Sequence, residues 1–205
     1  KLGIPTKKAY RTAEALLREK DVEAVVLAMP TNIRAKLGPR ALKAGKHLLL
    51  EKPVALDARH VRKLIDMKGD LTVACCSSRN RFNPAADILT QKIAANELGD
   101  LRVVRFRAIR AAGPKPTTPP PVWRLNRALN GGGILVNWGS YDLDFLLGVS
   151  GWKLSPRHVL ARMWTCPGKL TARQAEGSDA ETHFSALITC DGGTVIQYER
   201  SEFTA

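Results

Sequence analysis

Residues 22–29, Val-Glu-Ala-Val-Val-Leu-Ala-Met, form a nearly unbroken apolar run rich in β-branched residues. A run of this length, closed by Pro30, reads as a strand of a parallel sheet with both faces covered. Apolar residues then recur at 33, 37, 41 and 42, a helical spacing. Thr31 is placed to cap that helix, predicted over 33–44, and Gly45 to end it. His47–Leu50 is a second buried run and 71–76 a third. Between them Asp57 can cap a helix over 58–68 with Val61, Leu64 and Ile65 on one face and Gly69 after its end. A short helix over 12–20, capped by Thr12, precedes the first strand. Strand, helix, strand, helix, strand at this rhythm means βαβ units. Right-handed crossovers put the three strands side by side in chain order.

The pattern changes after residue 77. Residues 84–97 are predicted helical, and 101–110 alternate as a strand with one wet face does. Five prolines make 112–121 an extended loop. A helix over 133–147 follows three glycines. Strands are predicted over 157–166, 181–190 and 194–203, the last two joined as a hairpin by Asp191-Gly192-Gly193. The fold class is therefore α/β. Residues 1–77 form a partial Rossmann-like parallel sheet, and 78–205 an α+β domain with a mainly antiparallel sheet.

A chain that is 44% hydrophobic has enough apolar material for a core, which argues against wholesale disorder. No stretch approaches the roughly 18 apolar residues of a membrane span, and the cytoplasm is the expected compartment. The formal charge of +13 invites a nucleic-acid reading. The basic residues are scattered, however, and no nucleic-acid-binding signature accompanies them. Neither nucleic acid nor membrane is an expected partner. The cysteines at 75, 76, 166 and 190 form no C-x-x-C pair, so no metal site is expected. Asp142 and Asp144, two apart on a helix, point in different directions and do not suggest one either.

Glu51-Lys52-Pro53 directly follows the second strand. The carboxyl end of a buried parallel strand is where open α/β sheets bind ligands. The whole segment VEAVVLAMPTNIRAKLGPRALKAGKHLLLEKPVAL resembles the oxidoreductase family of glucose–fructose oxidoreductase, inositol dehydrogenase and MocA (Gfo/Idh/MocA). So do SSRNRFNPAADILTQKI at 77–93, Trp123-Arg124, the run GGGILVNWGSYDLD at 131–144, and the late strand pair around Asp-Gly-Gly. The resemblance covers nearly the whole chain.

It implies NAD or NADP as cofactor, approached by Met29, Pro30, Thr31, Asn32, Glu51, Lys52 and Arg79. It implies a sugar, polyol or related cyclic alcohol as substrate, approached by Lys52, Trp123, Arg124, Asn137 and Tyr141. Hydride transfer from a secondary hydroxyl needs a proton acceptor. Tyr141 is the expected acid/base, with Lys52 as its electrostatic partner and Asn137 beside them. A homo-oligomer, dimer or tetramer, built through the second domain's sheet is also implied. Three departures stand out. The family's catalytic Asp is Asn137 here, which cannot accept a proton. Its His is Tyr141, as in the branch of glucose–fructose oxidoreductase and dihydrodiol dehydrogenase. The family's G-x-G-x-x-G does not occur: Lys1-Leu2-Gly3-Ile4-Pro5 aligns just past the first βαβ unit, and the chain stops before the family's last elements. These departures motivate an alternative, a family member that binds cofactor or sugar without turnover. Lys52 as an ordinary surface lysine, Asn137 as a structural amide and Tyr141 as a packing aromatic are the plainer readings.

Overall fold

The computed structural model describes residue 5 and residues 9–204. Lys1 to Ile4 of the segment aligned past the first βαβ unit lie outside them. The chain divides into two compact units, Lys1–Cys76 and Ser77–Ala205.

In the first unit α1 (Ala13–Leu17) is capped as predicted, the Thr12 hydroxyl accepting from the Ala15 amide at 3.2 Å. Strands β1 (Ala24–Leu27), β2 (His47–Leu50) and β3 (Val73–Cys75) pair in parallel in that order. Helices α2 (Thr31–Lys43) and α3 (Ala58–Met67) make the crossovers. Asp57 caps α3 by accepting from the His60 amide at 3.0 Å.

Four expectations are corrected. Thr31 is the first helical residue of α2 and the cap position is Pro30, which has no side-chain acceptor to offer. The buried face of α2 is Thr31, Arg34, Gly38, Ala41 and Leu42, while Ile33 is exposed. The helix turns this way because Gly38, lacking a Cβ, admits Leu64 of α3: a Cβ there would lie 3.1 Å from the Leu64 side chain. Ile65 is exposed for the same reason, since Leu64 takes the contact face. Finally, the sheet is covered on one face only among the described residues. Val25, Leu27, Leu48 and Leu50 are buried, whereas Val26 and Leu49 are exposed.

In the second unit α4 (Pro84–Ala94) starts with proline after an Asn83 cap. Strands β4 (Val103–Ala111), β5 (Pro156–Trp164), β6 (His183–Cys190) and β7 (Val195–Thr204) form one sheet in the order β4-β7-β6-β5. Two of its pairings are antiparallel, and Asp191-Gly192-Gly193 turns β6 into β7. The β4–β7 pairing is parallel. Helix α6 (Ser140–Val149) lies over the inner face, where Ile134, Leu146, Phe184, Ile196 and Tyr198 form the core. The short α5 (Arg127–Asn130) ends at Gly131, whose φ of 86° suits glycine. The predicted helix over 133–147 divides: Leu135–Gly139 is π-helical and α6 continues from Ser140.

Candidate active site

In the first unit the candidate residues collect on two loops at the carboxyl ends of adjacent parallel strands. Met29, Pro30, Thr31 and Asn32 follow β1, and Glu51 and Lys52 follow β2. The Lys52–Pro53 peptide is cis. Glu51 folds back so that its carboxylate accepts the Lys52 amide at 3.0 Å.

Arg34, which the sequence reading did not single out, ties these loops together. Its side chain is buried, with 3% exposure. It donates to the Met29 carbonyl at 2.5 Å, the Thr31 hydroxyl at 3.2 Å, the Pro53 carbonyl and the Val54 carbonyl at 3.4 Å. One planar guanidinium thus spans the β1 loop and the β2 loop, a geometry lysine cannot reproduce. Burial pulls its pKa below the ordinary arginine value, and the nearby Glu51 opposes that shift. The missed signal was rotational: Arg34 stands one position from the apolar stripe at 33, 37 and 41. Thr31 is buried, so its side chain serves Arg34.

In the second unit the candidates fall into one connected network. The motif glycines form a tight turn rather than a phosphate cradle. A Cβ on Gly133 would come within 1.9 Å of the Glu181 main-chain oxygen. The buried Glu181 carboxylate accepts the Gly133 amide at 2.9 Å and the Leu135 amide at 3.2 Å, fixing the start of the π-helical segment. That segment carries Asn137 and Trp138. Such segments occur frequently at functional sites. Asn137 is half-buried, and its main-chain N–H donates to the Gly133 carbonyl at 3.0 Å.

Tyr141, one turn further on, is buried at 7% exposure. The Arg79 guanidinium lies over its ring at 4.0 Å and over Trp138 at 5.4 Å. Arg124 pairs with Glu202 at 2.9 and 3.0 Å, and Glu202 also takes the Trp138 indole N–H at 2.6 Å. Trp123 sits on the same short turn as Arg124, 37% exposed.

Beneath them Asp142 accepts from the Tyr198 hydroxyl at 2.5 Å and from Arg200 at 2.7 Å, all three buried. Burial pushes the Asp142 carboxyl up, and the Tyr198 and Arg200 hydrogen bonds pull against it. Burial first, then the bond to Asp142, drives the Tyr198 phenol far above its ordinary range. Tyr198 is therefore a fixed donor. Asp144 points elsewhere and accepts from Arg81 at 2.8 Å. Asp142, Tyr198, Arg200 and Glu202 were not legible in sequence, because the partners lie 56 or more residues apart.

Residues 88–205 match the GFO/IDH/MocA C-terminal domain, and residues 1–77 match the oxidoreductase family's NAD-binding Rossmann fold. The chain belongs to the GFO/IDH/MocA oxidoreductase family. An inositol 2-dehydrogenase of Rhizobium meliloti strain 1021 is 31% identical over 142 residues, 67% of this chain and 40% of that protein. An NAD-binding protein of Listeria innocua has a solved structure 26% identical, with a TM-score of 0.76 over 94% of this chain and 52% of its own. The aldose-aldose oxidoreductase of Caulobacter crescentus, solved with glycerol, is 25% identical, with a TM-score of 0.77 over 97% of this chain and 57% of its own. The chain spans about half the length of these relatives. No helix among the described residues is long and apolar enough to cross a membrane.

Proposed function

We propose that this chain serves an NAD(P)-dependent oxidoreductase that moves a hydride between nicotinamide and a secondary hydroxyl of a sugar, polyol or related cyclic alcohol. The carrying observation is Tyr141, buried on the helix that the glycine motif opens, with the Arg79 guanidinium 4.0 Å over its ring. The nearby Tyr198 is committed to Asp142 and cannot take that role.

The residues fit a nicotinamide cofactor. The loops after β1 and β2 stand at the carboxyl ends of parallel strands, and α2 begins there without a side-chain cap. Met29, Pro30, Asn32, Glu51 and Lys52 would hold it, with Thr31 through its main chain. The cofactor supplies the two-electron hydride chemistry. In the oxidative direction Tyr141 takes the hydroxyl proton as the carbinol carbon gives up its hydride. Fixed positive charge from Arg79, 4.0 Å over the ring, stabilises the charge on the ring before the proton arrives. Trp123, Arg124 and Asn137 position the substrate. Asn137 donates or accepts a hydrogen bond and carries no proton through the reaction.

The reading includes a homo-oligomer formed through the outer face of the second unit's sheet, where Leu160, Trp164 and Leu187 are exposed. It also includes a reducing, cytoplasmic compartment. The test is nicotinamide reduction by the purified protein over a panel of sugars, polyols and their acids, alongside NADH binding. Reduction with any member supports the reading. Tight nicotinamide binding without turnover on the whole panel would favour the binding-only alternative that Asn137 motivates.

A further inference from the structure

Three guanidiniums converge on the ring of Trp138. Arg200 stands 4.7 Å from the ring centroid, and Arg79 and Arg110 5.4 Å each. They come from three places in the chain: the turn at Ser78–Phe82, the end of β4 and the middle of β7. A fourth, Arg124, joins through Glu202, which also pins the indole N–H.

The acids do not match the cations. Asp142 is taken by Arg200 and Tyr198, and Glu202 by Arg124 and Trp138. Asp142 reaches Arg79 only at a distance. Neither Arg79 nor Arg110 has a carboxylate within ion-pairing distance among the described residues. Both are exposed, while Arg200 is buried. Like charges gathered around one ring repel one another. The indole face offsets part of that repulsion. What remains is an excess of positive charge and planar donors around one indole ring, the chemistry that recognises oxyanions by paired hydrogen bonds.

We propose that Arg79 and Arg110 form an oxyanion subsite, and that the substrate is a sugar or polyol carrying a carboxylate or phosphate. The sugar or polyol part rests on the function proposed above; the anion part rests on the guanidiniums alone. The Trp138 ring holds the two exposed arginines in place, and the anion supplies the charge that Asp142 and Glu202 do not.

The test follows the Trp138 indole N–H resonance of the whole protein, assigned with Trp138→Phe, while ligands are added. The probes are glucose, glucuronate, glucose 6-phosphate and inorganic phosphate. We expect an acidic sugar to bind at least about tenfold more tightly than glucose and to lose that advantage as salt rises. Arg110→Gln should cut the advantage to about threefold or less while leaving glucose affinity unchanged. A tighter glucuronate identifies carboxylate as the anion, and a tighter glucose 6-phosphate identifies phosphate. The proposal is overturned if glucose binds as well as the acids. It is overturned if folded Arg110→Gln keeps the full preference, if inorganic phosphate alone matches the sugar acids, or if no anion moves the resonance. Hydride transfer, measured in parallel, separates the two proposals. Acid binding without transfer removes the dehydrogenase reading and leaves the subsite. Transfer confined to neutral sugars does the reverse.

Discussion

Replacing Arg34 by methionine removes the side chain that joins the two loops of the candidate cofactor site. The guanidinium holds the Met29, Pro53 and Val54 carbonyls and the Thr31 hydroxyl from a buried position. Each buried carbonyl left without its donor costs about 1–3 kcal/mol, so the three carbonyls alone account for roughly 3–9 kcal/mol. Against this stands the cost of burying a guanidinium, several kcal/mol even after relaxation, which methionine avoids. The difference leaves a destabilisation of about 3 kcal/mol. Native stabilities are about 5–15 kcal/mol, so a loss of this size is readily measured. Hydrogen exchange of the amides from β1 through Ala55 is the assay. The β1 and β2 loops should lose protection together, and nicotinamide affinity should fall with them. Arg34→Lys should recover less than half of the loss, because a single ammonium cannot reach both loops. A change below about 0.5 kcal/mol, the range of ordinary surface substitutions, would refute the reasoning.

Gly133→Ala forces a methyl against the Glu181 main chain, which cannot rotate away. A loss of about 3 kcal/mol or more is expected in urea denaturation followed by tryptophan fluorescence. Near-native stability would show that the turn is more pliable than its contacts indicate. Asp57 makes a pH prediction. The His60 amide, first, holds its carboxyl well below the ordinary carboxylate range. Its contribution to stability is therefore present above that range and is lost as pH falls through the depressed native value. The His60 amide resonance should titrate there in the native protein and stay flat in Asp57→Asn, which keeps the capping oxygen. The same titration in both proteins would contradict this.

Local physics made much of the fold legible in the sequence. The β-branched run at 22–29, the Thr12 and Asp57 caps, and the Asp191-Gly192-Gly193 turn all act over a few residues. The strand order in the first unit follows from the handedness of crossovers. Long-range features were not legible. Nothing local distinguishes Arg34 from a solvated arginine, since its inward rotation depends on Gly38 meeting Leu64. The parallel β4–β7 pairing joins strands about 90 residues apart and brings Arg107 to Glu199 at 2.9 Å. Tyr141 and Asn137 could be singled out only because a glycine motif precedes them. The arginines around Trp138, scattered through the sequence, became a cluster only in the fold.

The most direct test of the central claim is the pH dependence of nicotinamide reduction by the native protein and by Tyr141→Phe. The substitution keeps the ring under Arg79 and removes only the hydroxyl. The account predicts an oxidation rate that rises with pH in the native protein. In Tyr141→Phe that limb should be absent and turnover about 10²–10⁴-fold lower, with cofactor binding intact. Full turnover with an unchanged pH profile would contradict it, and the proton acceptor would have to be sought elsewhere.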